Sequence, residues 1–267
     1  MRQVTARAAV QLAPNPGPMT LDGTNSWVLR EPGTEQCVVV DPGPLHEGHL
    51  AALAAAGPVA VVLLTHGHAD HSEGARRLAE LTGAPVRALD PAHRLGDEGL
   101  AEGDVVAAAG LEVRVLATPG HTADSLSLVL DDAVLTGDTV LGRGTTVVAH
   151  PDGVLGDYLR SLERLRELGG RTVLPGHGPE LASAGEAAER YLAHRRQRLE
   201  QVEAAVAAGA TTPRQVVEVV YADVDRVLWP AAELSVRAQL AHLGVQLAHL
   251  GVPLAHLGVP LAHGEVP

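Results

Sequence analysis

Four times in this chain, a short apolar run ends in a turn that carries histidine or aspartate. The densest case is Thr65-His66-Gly67-His68-Ala69-Asp70-His71, which follows the run Val59–Leu64. The other three are Thr118-Pro119-Gly120-His121-Thr122, Leu135-Thr136-Gly137-Asp138-Thr139 and Leu174-Pro175-Gly176-His177-Gly178. Short apolar runs bounded by Gly, Pro or Asp read as strands, and Cys37–Val40, Leu111–Leu116, Ser125–Leu130, Val134–Thr136 and Thr172–Leu174 qualify as well. Between them, Ser72–Leu81 and Tyr158–Leu168 carry helical spacing, the second with Leu159, Leu162 and Leu165 on one face. Strands interleaved with helices point to α/β layers rather than an all-β fold.

Hydrophobic residues make up 46% of the 267, enough for a sizeable core, but aromatics are 2% and Phe is absent. That core is therefore built from Ala, Val and Leu. The single Cys37 excludes an intramolecular disulfide and a cysteine zinc cage, and its neighbours Val38–Val40 make it a buried, inert thiol. The net charge of -12, with no strongly basic segment, argues against a dedicated duplex-DNA binder. No apolar run is long enough to span a bilayer, so no membrane partner is expected. Met1–Val10 carries Arg2 and Arg7 but lacks the apolar stretch of a secretion signal. The expected location is cytoplasmic.

Imidazole and carboxylate are ligands for zinc and similar divalent ions, and residues 66–71 hold three of the first and one of the second. In an extended segment His66 and His68 point the same way, while a turn re-aims Asp70 and His71. Such a segment can serve two metals. The competing reading is a polar loop in which Asp70 or Ser72 caps the next helix, and it is disfavoured by the density of ligand types.

Taken together and in this order, the four turns resemble the metallo-β-lactamase superfamily, over roughly residues 18–180. The resemblance implies a four-layer αβ/βα sandwich and a metal-dependent hydrolase with two zinc ions. It implies that His66, His68 and His121 bind the first metal, that Asp70, His71 and His177 bind the second, and that Asp138 bridges both. Hydroxide between the metals would then be the nucleophile, with Asp70 as the catalytic proton acceptor. A narrower similarity runs through Asn15-Pro16-Gly17-Pro18, Gly23-Thr24-Asn25, Gly137–Gly142, Gly144-Thr145-Thr146, Pro151-Asp152-Gly153, Tyr158-Leu159 and His194-Arg195. It looks like the lactamase-β-2-like group, whose animal members resemble endoribonucleases acting on single-stranded RNA. By that resemblance Thr145, Thr146 and Tyr158 are substrate-loop candidates. Phosphodiester cleavage in RNA is the leading expectation. A small-molecule thioester or lactone (glyoxalase II-like) is the alternative, and a mononuclear-iron dioxygenase of the same fold is a third reading. Scarce aromatics weigh against RNA stacking.

The chain divides into a catalytic domain at 1–180, a helical, winged-helix-like domain at 181–243 and a heptad-repeat tail at 244–267. Ala184–Ala208 reads as one long helix, Thr211-Thr212-Pro213 as a helix start, and Gln215–Tyr221 and Ala231–Leu243 as two further helices. Arg190, Arg195, Arg196 and Arg198 cluster on the long helix, with Glu186, Glu189 and Glu200 at pairing distance, and a solvated face is the better reading than a phosphate grip. In the tail, a (Q/P)LAHLGV unit repeats and places Leu on a heptad seam, broken by Gly and Pro. Its His242, His249 and His256 would stand about 10.5 Å apart on a helix, too far to share a metal with bonds of about 2 Å. A loosely docked repeat is the simpler reading. If the seam pairs two copies instead, the chain forms a homodimer.

Overall fold

The computed structural model describes residues 1–245. The first sheet contains β1 (Arg2–Gln3), β2 (Ala8–Leu12), β3 (Asn25–Leu29), β4 (Cys37–Val40), β5 (Val59–Leu63) and β6 (Val86–Arg87), in that spatial order. Its first four strands are antiparallel and its last three parallel. The parallel pairs need crossovers, which α1 (Glu47–Ala54), the short α2 (Ala69–Ser72) and α3 (Ala75–Thr82) provide. The second sheet contains β7 (Val105–Ala108), β8 (Leu111–Ala117), β9 (Leu126–Val129), β10 (Ala133–Gly137) and β11 (Thr172–Pro175), with β10 and β11 parallel across α4 (Leu155–Arg166).

Side chains alternate along each strand, so each sheet has two buried faces. Val38, Val40 and Leu63 of the first sheet meet Val113, Leu128 and Leu135 of the second in a shared core. Cys37, Val39 and Val62 point the other way and pack on Leu50, Leu53 and Leu78 of α1 and α3. Val134 and Val173 pack outward on Leu162 and Leu165 of α4 and on Ala188 and Leu192 of α5 (Ala184–Ala207). The result is the expected four-layer αβ/βα sandwich. With no Phe, the core depends on many aliphatic contacts, and truncating one buried Leu to Ala would cost about 2–5 kcal/mol.

At one end the sheets are tied together. Asn25 donates its side-chain amide to the carbonyls of Pro175 and Gly178 at 3.0 and 2.8 Å, and Trp27 Nε1 donates to Pro175 at 3.1 Å. The strand ends therefore meet at a fixed spacing where the four turns lie.

The helix expected at Ser72–Leu81 is split. The first piece is α2, and α3 starts only at Ala75. Gly74 lies between them because the loop after β4 presses in: a Cβ there would meet Leu50 Cδ2 at 2.8 Å and the Gly43 carbonyl at 3.0 Å. Ser72 caps no following helix and instead donates to the carbonyls of Gly67 and His68. Past the sandwich, α5 runs into a separate cluster formed with α6 (Pro213–Val220) and α7 (Trp229–His242), in which Val202, Val216, Val217, Trp229 and Val236 are buried. Thr212 caps α6 by accepting from the Gln215 amide, as its sequence suggests. No strand follows β11 among the described residues. The repeat from Gln246 onward, and with it most of the Leu seam, lies outside them.

Candidate metal centre

The four turns converge at the tied end of the sandwich. His66, His68 and His121 form one group of donors, and Asp70, His71 and His177 another, with the donor atoms of each group within 4.8 Å of one another. His68 Nδ1 lies 3.1 Å from both His66 Nε2 and His121 Nε2. His177 Nε2 lies 3.2 Å from His71 Nε2 and 3.1 Å from Asp70 Oδ2. Asp138 stands between the groups. Its Oδ1 is 3.4 Å from both His71 Nε2 and His177 Nε2, and its Oδ2 is 3.6 Å from His121 Nε2.

These spacings test whether a metal fits. Ligands held about 2.0–2.2 Å from a tetrahedral ion stand roughly 3.3–3.6 Å from each other. The observed separations lie close to that range, and two carboxylates among five imidazoles are a donor set suited to divalent ions. Asp138 Oδ1 is buried with no hydrogen-bond partner, which is costly unless a cation is there to meet it. Gly176 keeps the space open, since a Cβ there would meet Asp138 Oδ1 at 2.6 Å and His71 Cε1 at 2.7 Å.

The far nitrogens of the rings are held as well. His71 Nδ1 donates to Asp41 Oδ2 at 2.9 Å, His177 Nδ1 to the Gly23 carbonyl at 3.2 Å, and His121 Nδ1 to the Val147 carbonyl at 2.7 Å. Each bond leaves Nε2 as the free lone pair pointing into the centre. Asp41 is 1% exposed and also accepts from the Thr65 amide and hydroxyl at 2.8 and 2.7 Å. Sequence reasoning missed it, although Cys37–Val40 followed by Asp41-Pro42-Gly43 has the same run-and-turn form as the four turns it did find.

Burial and the neighbouring imidazole charges hold the His66 ring far below its ordinary pKa, against the pull of Asp138. Burial opposes protonation of His177 too, but the carboxylates of Asp138 and Asp70 beside its Nε2 outweigh it and push its pKa up to about 9. Burial would raise the Asp138 pKa, yet the closely placed His71 and His177 rings hold it well below the carboxylate range.

A cavity of about 320 Å³ runs from His121 and Asp138 to the helical region. Thr145 and Thr146 line it, whereas Tyr158 does not. Tyr158 is fully buried and donates to the Thr139 carbonyl at 2.6 Å. The helix α4 starts at Leu155, ahead of the expected Tyr158, and so turns Tyr158 inward with Leu162 and Leu165. Thr146 donates its hydroxyl to the Asp138 carbonyl at 2.6 Å, and its own carbonyl accepts from Arg195 of α5. The arginine cluster of α5 is therefore not one solvated face: Arg190 and Arg196 are exposed, while Arg195 is 3% exposed.

Residues 19–177 match the metallo-beta-lactamase superfamily, and residues 212–245 match the beta-lactamase associated winged helix domain. A beta-lactamase-like protein 2 homolog from Caenorhabditis elegans is 34% identical over 207 residues, covering 72% of this chain and 68% of its own. An atrochrysone carboxyl ACP thioesterase from Aspergillus fumigatus is 33% identical over 242 residues, covering 82% and 74%. The solved structure of a beta-lactamase domain protein from Burkholderia ambifaria superposes with a TM-score of 0.76 at 24% identity, covering 91% and 87%, and speaks for the fold. The chain belongs to the metallo-β-lactamase superfamily. It is a metal-dependent hydrolase with an associated winged-helix region. No helix among the described residues is long and apolar enough to cross a membrane.

Proposed function

We propose that this chain is a two-metal hydrolase of acyl thioesters or related carboxyl esters, with His66, His68 and His121 holding one ion, Asp70, His71 and His177 the other, and Asp138 both. The observation that carries this reading is the carboxylate of Asp138, which turns one oxygen to each donor group. Two divalent ions held by these residues, zinc by donor type, would supply activated water at neutral pH and polarise a carbonyl oxygen. The chain's residues do the rest. His71, His177 and His121 are fixed in orientation by Asp41, Gly23 and Val147. Asp70 is the more exposed carboxylate, at 28% against 12% for Asp138, which supports it as the group that accepts a proton during attack.

The cavity supports a small acyl substrate over RNA. It has the size of a small-molecule site, and Met19, Leu21, Leu141, Val224 and Leu228 give it apolar walls. Among the described residues Tyr221 is the only Phe, Trp or Tyr in its lining, against the stacking platforms that single-stranded RNA needs. A relative whose name is that of a thioesterase aligns with most of the chain. RNA cleavage remains the second reading, favoured by the arginines in the same wall.

Metal analysis with a panel of thioester, lactone and RNA substrates tests both. About two ions per chain and thioester turnover are expected. Iron at one per chain would favour the dioxygenase, RNA cleavage without thioester turnover would overturn the substrate, and failure to bind metal at 1 mM zinc would overturn the reaction class.

A further inference from the structure

The cavity contains more positive charge than its walls neutralise. Arg195 is 3% exposed, and no carboxylate among the described residues lies within ion-pair distance of it. Its guanidinium donates to the Thr146 carbonyl and lies 4.9 Å over the Tyr158 ring, while Nε has no partner. Arg198, one turn along α5, lines the same cavity. It donates to Gln201 Oε1 at 3.0 Å and to the Val220 carbonyl, and lies 4.7 Å over the Tyr221 ring, again without a carboxylate. Arg143 at the rim differs, because it is paired with Asp22. Among the described residues that line the cavity Asp138 is the only carboxylate, and it belongs to the candidate metal centre.

A guanidinium taken out of water without a counter-ion is unfavourable, and apolar surroundings strengthen its pull on any anion that arrives. Stacking on Tyr158 and Tyr221 covers the faces of the two guanidiniums. Their edges, which carry the N–H groups that match carboxylate or phosphate, are the part that recognises an anion. His194, also in the wall, has an unpartnered Nδ1 and a pKa lowered to about 4, by burial first and then by Arg195 and Arg198. It stays neutral at pH 7 and adds no competing proton.

We propose that Arg195 and Arg198 form an oxyanion subsite at the helical end of the cavity, so that the preferred substrate carries a carboxylate or phosphate on an apolar body, remote from the bond that is cleaved. The position of that bond rests on the two-metal hydrolase reading; the subsite itself is tested by binding alone. Calorimetry on the metal-loaded protein would compare octanoate, octyl phosphate and neutral octanamide, in wild type and in Arg198→Gln. Both anions are expected to bind at least about tenfold more tightly than the amide. Arg198→Gln should weaken them at least about fivefold, leaving octanamide affinity and metal content unchanged. The tighter of the two anions names the group. Anions no tighter than octanamide would overturn the subsite, as would anion binding unaffected in Arg198→Gln, which would place the carboxylate on the metals. Arg195→Lys, which keeps the charge, should retain the preference if it folds, and the Arg198 result decides the matter if it does not. A chain that shows Arg198-dependent binding but turns over no ester keeps the subsite and loses the hydrolase reading. The reverse result loses only the subsite.

Discussion

The two donor groups of the metal centre are braced from different parts of the molecule. His71 and His177 are fully buried and lean on the first sheet and its loops, through Asp41 and the Gly23 carbonyl. His121 leans on Val147, in the loop after β10 that also forms the cavity wall, and His68 is exposed. One group is set in the scaffold. The other, through His68 and His121, borders the place where substrate would enter, and His121 takes its support from that loop. Rigid outer partners are worth about ten- to hundredfold in metal affinity, so the two groups should respond differently to the same kind of damage.

The largest effect is expected from Asp138→Asn, which removes the one group common to both sides. Two cations then share less negative charge, so the second site should empty first and turnover should fall by at least about a hundredfold, more than an outer partner costs. Metal stoichiometry and rate measured beside Asp124→Asn, a carboxylate outside both groups, check this. Equal metal loss in the two variants would contradict a shared role.

Asp41→Asn should act on one side only. A loss of about ten- to hundredfold in affinity is expected at the His71 site, with the His66 site nearly unchanged. Stepwise cobalt titration, followed by absorbance, resolves the two. A parallel loss would show that Thr65, which also touches His66 Nδ1, transmits the damage to both groups and erases the contrast.

The scaffold side also has a pH signature. His49 is 3% exposed and bonds Ser26 at 2.9 Å, and burial lowers its pKa to about 4 from 6.5. Folded protein keeps it neutral, while the unfolded chain takes up a proton as pH falls below 6.5. The unfolded state therefore binds more protons between 6.5 and 4, and stability drops across that window by up to about 3 kcal/mol. Urea unfolding of wild type and His49→Gln from pH 7.5 to 5 should show a flatter profile for the variant. Identical slopes would remove His49 from the account.

The smallest effect is expected from the tail. Leu243 and Val245 pack against the helical cluster, so a chain ending at Val245 keeps that packing. It should bind the same metal and turn over within about threefold of the full chain, under ~1 kcal/mol of barrier. Light scattering would show whether the removed repeat had paired two copies.

The donor positions were legible because each sits in a turn directly after an apolar run, and strand ends in a layered α/β fold gather at one edge. Five of the seven proposed donors come from such turns with no help from distant sequence, and Asp70 and His71 from the short helix that follows. Arg195 was not legible. It lies among Arg and Glu on a helix with little amphipathic contrast, and its burial is set by a loop 49 residues earlier in the chain. Tyr158 failed for a local reason: a helix start three residues earlier than the spacing suggests moves a side chain from loop to core.

The cavity joins pieces far apart in the chain, with Met19 and Leu21 on one side and Val224 and Ala232 on the other. The second pair belongs to a region with its own buried cluster, joined to the sandwich through α5 and through Ala238 of α7. Local opening of such a region is expected to cost less than unfolding the whole protein. A partial opening of α6 and α7 would leave the metals seated while removing the wall that reads the substrate. Substrate affinity is then scaled by the fraction of molecules with that wall closed, and a ligand spanning the cavity would slow amide exchange in α6 and α7 more than in the strands.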